Sequence, residues 1–194
     1  CGPAITPLTN SKAKLLAAVN EMLPWHRGGT TGNLGLVWGW RTISPRWRGL
    51  WGGTTPDSMP LPYDDPKMDK IVVLLTDGTN QFYDWPDHGP GNGAGPRGSD
   101  YTAYGRLWDF GFTSLDAARR EIDRRMLRTC AAAKREGVQI YTITFGDVPD
   151  RDTQELYKAC ATTPSFYFHA PDRDSLAQAF RRVGQIMSNL RILR

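Results

Sequence analysis

The spacing of apolar residues changes along the chain and predicts alternating helices and strands. Within residues 70–76, a continuous β-branched and leucine run follows Lys70 and ends directly before Asp77, which predicts a strand buried on both faces. Two further strands are predicted at residues 138–145 and 165–169, the second short enough to be an edge. Helical spacing predicts helices over residues 11–23, 33–42, 113–136 and 175–193, with one more beginning at Asp152.

Capping residues, glycines and apolar stripes give further predictions for the helices. Thr113 and Asp116 fit a capping box at the start of the helix over residues 113–136, and Gly137 fits its end. Gly35 and Gly39 either let their helix approach a sheet closely or merely weaken it. Each long helix has an apolar stripe that we expect to face inward: Leu115, Ala118, Ile122, Met126, Thr129 and Ala133 in one, and Leu176, Phe180, Val183, Met187 and Leu190 in the other.

The order of these elements predicts the fold class. Helices that alternate with buried strands predict an α/β fold, with a doubly wound, mostly parallel sheet flanked by helices. No linker divides residues 1–194, so we expect one domain. Three strands are few for such a sheet and the chain opens on a helix, so we expect the first strands to precede Cys1. The sheet is then incomplete at its N-terminus.

Composition and charge exclude several classes of protein. The 194 residues are 40% hydrophobic, enough for one sizeable core, and contain no run of 18 apolar residues that would span a membrane. With 24 basic and 20 acidic residues the net charge is +4, which does not indicate nucleic-acid binding. No zinc-protease motif, serine nucleophile elbow or phosphate-binding loop is present in the sequence, so we predict a binding protein and not an enzyme.

Two residues suggest metal chemistry. Asp77 follows the most central predicted strand, and Thr30 lies in the loop that opens the helix over residues 33–42. Ligands bind beyond the carboxyl ends of strands in open α/β sheets, and a carboxylate with a hydroxyl suits Mg²⁺ or Mn²⁺. The alternative is that Asp77 begins a turn and Thr30 caps a helix. Similarly, Asp147, Asp150 and Asp152 gather a Ca²⁺ or cap a helix, and capping is the simpler interpretation.

Cysteines, arginines and aromatic residues leave further alternatives open. Cys130 and Cys160 lie on predicted helices that flank one strand, so they either meet in a disulfide or remain reduced with Cys1. The long Gly- and aromatic-rich loop over residues 78–112 is expected to be either functional or disordered. Its aromatic residues form either a partner-binding surface or a local core. The arginines of the helix over residues 113–136 form a solvated face or meet an anionic partner; they are Arg119, Arg120, Arg124, Arg125 and Arg128.

Short motifs occur in order over nearly the whole chain, at residues 5–9, 28–30, 35–41, 44–45, 73–80, 129–130, 137–145, 160–161 and 179–191. Through these motifs the chain resembles the von Willebrand factor A domain, specifically that of TadG-like proteins of bacterial tight-adherence pilus assembly. The resemblance implies a variant of the Rossmann-like architecture.

The resemblance implies a metal-ion-dependent adhesion site. That site has three parts in the family: an Asp-x-Ser-x-Ser motif, a threonine in a Gly-Gly-Thr loop, and an aspartate in a Thr-Asp-Gly turn. Thr30 and Asp77 match the second and third parts, with Thr31 as a substitute for Thr30, and the first part is absent from this sequence. We therefore expect an upstream segment to complete a site for Mg²⁺ or Mn²⁺.

The resemblance also implies a location and a function. TadG-like proteins work outside the cytoplasm, held by a membrane segment that would lie outside this chain, and this location favours the disulfide Cys130–Cys160. We expect a non-enzymatic module of adhesion or pilus assembly that binds a protein partner and no nucleic acid. The expected partner-binding residues are Trp85, Tyr101 and Trp108. The alternative is a metal-independent scaffold that docks through its aromatic surface.

Overall fold

A three-stranded parallel sheet forms the centre of the protein. The computed structural model describes residues 2–23, 30–53, 55–82, 99 and 101–192. The strands β1 (Ile71–Thr76), β2 (Gln139–Phe145) and β3 (Tyr167–Ala170) pair in the order β1-β2-β3, with Val72 opposite Ile140. The helices are α1 (Lys12–Asn20), α2 (Gly32–Ile43), α3 (Leu115–Arg135), α4 (Arg151–Cys160) and α5 (Arg173–Ile192). This confirms the predicted α/β class.

Helices cover the two faces of the sheet unequally. α2, α3 and α4 pack side by side on one face, where the largest buried apolar cluster joins them to β1 and β2. α5 packs on the other face and contacts β3 and β2. Its cluster is smaller and is built on Ile143, Ala170 and Ala179. The larger cluster therefore fixes the relative positions of α2, β1 and α3, the elements around the predicted metal ligands.

The prediction that β1 is buried on both faces is wrong. Val72 and Leu74 face α2 and α3 and are buried, but Val73 and Leu75 on the opposite face are 38% and 41% exposed. β1 lies at one edge of the described sheet, and α5 contacts β2 and β3 instead. The continuous apolar run therefore has two different environments. β3 at the other edge agrees with its prediction.

Two helices begin at residues other than the predicted caps. Ser114, and not Thr113, caps α3 by accepting a hydrogen bond from the backbone N–H of Ala117 at 3.4 Å. Asp150, and not Asp152, caps α4 through the N–H of Thr153 at 2.8 Å. Both sequences offer several polar residues within one turn, so spacing alone does not select the cap. Gly137 follows α3 with a φ of +80°, as its predicted role in ending that helix requires.

The apolar stripes are narrower than predicted. In α5, Ala179 and Val183 are buried, whereas Phe180 and Met187 are 48% and 38% exposed, because only the short β3 and part of β2 lie beneath the helix. The side chain of Leu190 lies outside the described residues. In α3, Leu115 and Thr129 are not buried, and the fully buried positions are Ala118, Ile122, Met126, Cys130 and Ala133.

The structure decides two further predictions, one about the end of α1 and one about the glycines of α2. α1 ends at Asn20, three residues before the predicted end at residue 23, and none of its residues is buried. In α2, a Cβ added at Gly35 or Gly39 would meet nothing within 4 Å. Neither glycine therefore marks a close approach to the sheet. No described helix has the length and apolar character needed to cross a bilayer.

Candidate functional site

The turn after β1 presents a carboxylate at the carboxyl end of the sheet. Asp77 is the first residue of this turn, and its side chain is exposed. The Thr76 hydroxyl holds the turn by donating to the Gly78 carbonyl at 2.9 Å and accepting from the Gly78 N–H at 3.2 Å. Thr76 itself is buried. The position of Asp77 is thus fixed by the strand end and does not depend on its own side-chain contacts.

Thr30 lies against the same turn. Its backbone forms a parallel bridge with Asn80, and its carbonyl accepts a hydrogen bond from the Gln81 N–H at 2.9 Å. A Cβ added at Gly78 would lie 2.8 Å from the Thr30 hydroxyl oxygen, so only glycine leaves room for that hydroxyl. The structure therefore brings Thr30 and Asp77 to one corner, defined by Thr30, Asp77, Gly78 and Asn80 and called the β1 corner below.

Asn80 connects the β1 corner to two helices. It is 2% exposed, its side-chain carbonyl accepts from the Gly32 N–H of α2 at 2.7 Å, and its amide donates to Asp123 of α3 at 2.8 Å. The sequence analysis missed this residue. An asparagine after a strand ordinarily indicates a turn, and nothing in its neighbours signals a connection across 43 residues.

Titratable side chains near the β1 corner have shifted pKa values. Burial raises the pKa of the Asp123 carboxyl, although the Asn80 amide and the Arg119 guanidinium oppose that change. Burial also raises the pKa of the Tyr157 hydroxyl to about 12. Arg119 pairs with Asp150 at 2.8 Å, and that pairing with the Thr153 hydrogen bonds outweighs burial and lowers the pKa of Asp150. Asp123 is therefore already engaged by Asn80 and Arg119 within the protein.

The β1 corner supplies only part of a metal site. The Asp77 carboxylate and the Thr30 hydroxyl are hard oxygen ligands, which suit Mg²⁺ or Mn²⁺. Among the described residues, no group of three His, Cys, Asp or Glu side chains could hold a metal ion. Asp150 caps α4 and pairs with Arg119, so helix capping accounts for it without Ca²⁺. The two corner residues alone supply two oxygen atoms of the kind that binds such a cation.

The structure contains the disulfide between Cys130 and Cys160. Cys130 lies on α3 and Cys160 ends α4, with an S–S distance of 2.02 Å and a Cα–Cα distance of 5.3 Å. Both residues are buried in the main core cluster. The bond joins the two helices that follow β1 and β2, so it supports the face of the sheet on which α2 also packs. Cys1 lies outside the described residues.

The predicted partner-binding aromatic residues have different environments. Tyr101 and Trp108 are 76% and 50% exposed, and Trp85 lies outside the described residues. Other aromatic residues of the same loop form a local core: Tyr104, Phe110 and Phe112 pack against Phe82, Leu107, Ala118 and Ile122. The local-core interpretation is therefore confirmed for Tyr104, Phe110 and Phe112, and partner binding by Tyr101 and Trp108 stays a prediction.

Comparison with solved structures identifies the fold. The vWF domain of the type V pili tip protein Mfa5 from Porphyromonas gingivalis has a TM-score of 0.56 and 16% identity, over 94% of this chain and 75% of that one. The protein shares the fold of a von Willebrand factor domain. The pilus adhesin SpaC from Lactobacillus rhamnosus GG gives a TM-score of 0.52 and 17% identity, over 92% of this chain.

The likeness to known proteins is one of structure. The chain spans 22% of the length of SpaC. No protein-family model matches the sequence, and no curated protein matches it significantly. At these identities the shared feature is the fold, and it places the β1 corner at the carboxyl edge of the sheet, where α/β proteins bind ligands.

Proposed function

We propose that this protein is a non-enzymatic binding module of the bacterial cell envelope, of the TadG-like type, that acts in adhesion or tight-adherence pilus assembly. The observation that carries the proposal is the meeting of Thr30 and Asp77 at the carboxyl edge of a von Willebrand factor fold. The similar domains belong to proteins named as a pilus adhesin and a pilus tip protein, which supports a binding role.

The metal in this proposal is Mg²⁺ or Mn²⁺. Asp77 and Thr30 supply two oxygen ligands, and an upstream segment that carries the missing Asp-x-Ser-x-Ser motif supplies the others. When bound, the cation offers a coordination position to an acidic group of the protein partner. Because Asp77 is exposed, a partner reaches it without unfolding the turn. Asn80 and Gly78 act through the backbone by holding Thr30 beside that turn.

The proposed location is outside the cytoplasm. The Cys130–Cys160 disulfide supports this location, since such bonds persist in oxidising compartments. A membrane anchor outside residues 1–194 would then hold the domain at the cell surface or in the periplasm.

A second candidate is a metal-independent scaffold of the same assembly. Large exposed aromatic side chains favour it, because aromatic residues are enriched at binding hot spots and Tyr101 and Trp108 are both exposed. The two candidates differ in their response to a chelator.

An attachment assay distinguishes the candidates. Cells that display the protein are expected to lose attachment at least tenfold in excess EDTA and to recover it with Mg²⁺ or Mn²⁺. Asp77→Asn should cause the same loss at all metal concentrations, because the amide removes the anionic ligand. Asp147→Asn, which changes another exposed aspartate after the neighbouring strand, should attach normally. Attachment that resists EDTA and Asp77→Asn but falls in Tyr101→Ala or Trp108→Ala would replace the metal proposal with the scaffold.

A further inference from the structure

A cavity of about 350 Å³ lies at the end of α2 that is remote from Thr30. It is bordered by the second half of α2, the short 3₁₀ helix Pro45–Trp47 and the C-terminal half of α3. Its wall begins at Val37, roughly 8 Å along α2 from Gly32 at the β1 corner. Its walls contain three aromatic and three cationic side chains: Trp40, Trp47, Tyr63, Arg41, Arg46 and Arg128.

The arginines of this cavity have little compensation from acidic groups. The Arg41 guanidinium lies over the rings of Trp38 and Trp47, at 4.5 and 5.1 Å from their centroids. Within the described part of the chain, neither Arg41 nor Arg128 forms an ion pair. Arg46 faces Glu136 at 3.7 Å, but its side chain is 81% exposed. Three guanidinium groups thus border one cavity that contains no acidic wall residue.

Trp40 and Thr129 contribute differently to the wall of the cavity. Trp40 packs against the main core, and its indole N–H is buried with no hydrogen-bond partner among the described residues. Because that N–H is closed to solvent, Trp40 offers a ligand its ring and not a donor. The Thr129 hydroxyl donates to the Arg125 carbonyl at 3.0 Å and keeps its lone pairs to accept from a ligand hydroxyl.

We propose that this cavity binds an acidic sugar, with a hexuronic acid as the recognised unit. The sugar carboxylate pairs with the guanidinium groups, which bind carboxylates in bidentate geometry. The apolar face of the ring lies against the aromatic wall, and a ring hydroxyl donates to the Thr129 oxygen. A cavity of about 350 Å³ lies at the small end of ligand sites, which suits one or two sugar rings.

The surroundings of the cavity favour a sugar over a peptide or a nucleic acid. Its borders are helices and a loop, so it offers no strand edge to an extended peptide, and its charged wall does not suit an apolar helix. A nucleic acid would require a basic stripe along a surface, whereas these arginines converge on one small cavity. The proposal is independent of metal binding at the β1 corner.

Titration of the protein with sodium glucuronate tests the proposal. We expect saturable quenching of tryptophan fluorescence, with glucose and inorganic phosphate each binding at least tenfold more weakly because each lacks one of the two recognised features. Equal binding of phosphate would mean an anion site without sugar recognition and would overturn the proposal. Binding of a glutamate-rich peptide without glucuronate binding would overturn it in favour of a protein partner, and absence of all binding would overturn it outright.

A variant in the cavity wall and a matched control outside it test whether glucuronate binds in this cavity. Arg128→Gln should weaken glucuronate binding about tenfold, since one charge-assisted hydrogen bond is lost. Arg135→Gln removes the same charge from an exposed position of α3 outside the cavity, and it should bind normally. Equal affinities of Arg128→Gln and Arg135→Gln would show that the sugar binds elsewhere.

Discussion

Reduction of the Cys130–Cys160 disulfide is expected to lower the free energy of unfolding by about 3–4 kcal/mol. The bond closes a loop of 30 residues, and opening it returns that conformational freedom to the unfolded chain. The half-cystines are buried between α3 and α4, so reduction also leaves two thiols in the core. Urea unfolding with and without dithiothreitol measures the difference.

Two variants control for other effects of the reductant. Cys1→Ser should respond to dithiothreitol as the wild type does, since Cys1 takes no part in this bond. The double variant Cys130→Ala/Cys160→Ala should be destabilised without reductant and insensitive to it. A wild-type transition that does not move on reduction, with free thiols verified chemically, would contradict the structural role of the bond.

Asn80→Ala is expected to lower the free energy of unfolding by about 2–4 kcal/mol. The substitution leaves the Gly32 N–H without its acceptor and removes the amide that donates to the half-buried Asp123 carboxylate, which then keeps only Arg119 at 3.9 Å. Unpaired buried groups cost more than the hydrogen bond itself contributes, and one of these groups is charged. The free energy of unfolding is measured by urea denaturation at neutral pH, where a larger fraction of the Asp123 carboxyl is ionised than at acidic pH.

The neighbouring residue provides the control. Gln81→Ala removes an amide side chain one position further along but keeps the backbone bond to Thr30, so we expect a change within about 0.5 kcal/mol. Hydrogen exchange should locate the effect of Asn80→Ala at the start of α2. Equal stabilities of Asn80→Ala and Gln81→Ala would show that the Asn80 network does not hold the β1 corner.

Local patterns predicted the class of the fold and the place of the candidate site. The apolar run before Asp77 has no helical period, and strands alternating with helices require parallel pairing, so the carboxyl ends meet at one edge. That reasoning places Thr30 and Asp77 at the same edge, where the structure has them. The Cys130–Cys160 pairing needed the family resemblance in addition, because composition alone left reduced thiols as an alternative.

Predictions that depended on neighbouring elements were less successful. The run at residues 71–75 is apolar at every position, so nothing in it shows that Val73 and Leu75 face outward. The burial of a strand depends on which helix lies over it, and α5 lies over β2 and β3. Asn80 was missed for the same reason, since its partners Gly32 and Asp123 lie 48 and 43 residues away.

The sequence also did not show which aromatic residues of the loop over residues 78–112 are buried. Tyr104 and Trp108 belong to one loop and have similar sequence surroundings, but Tyr104 packs into a local core and Trp108 is half exposed. Side-chain direction in an irregular loop follows from its turns, and those have no fixed period. The cavity lined by Arg41 and Arg128 was not predictable for the same reason. These arginines lie 87 positions apart in the sequence, and the fold places both in one wall.

Calorimetric titration with Mn²⁺ shows directly whether the β1 corner binds a divalent cation. The titration uses residues 1–194 and a longer chain that carries the proposed upstream segment. We expect one saturable site in the longer chain, lost in Asp77→Asn and retained in Asp147→Asn, with little binding to residues 1–194 alone. Failure of the longer chain to bind Mn²⁺, or equal binding by the Asp77→Asn variant, would show that the β1 corner is not a metal site.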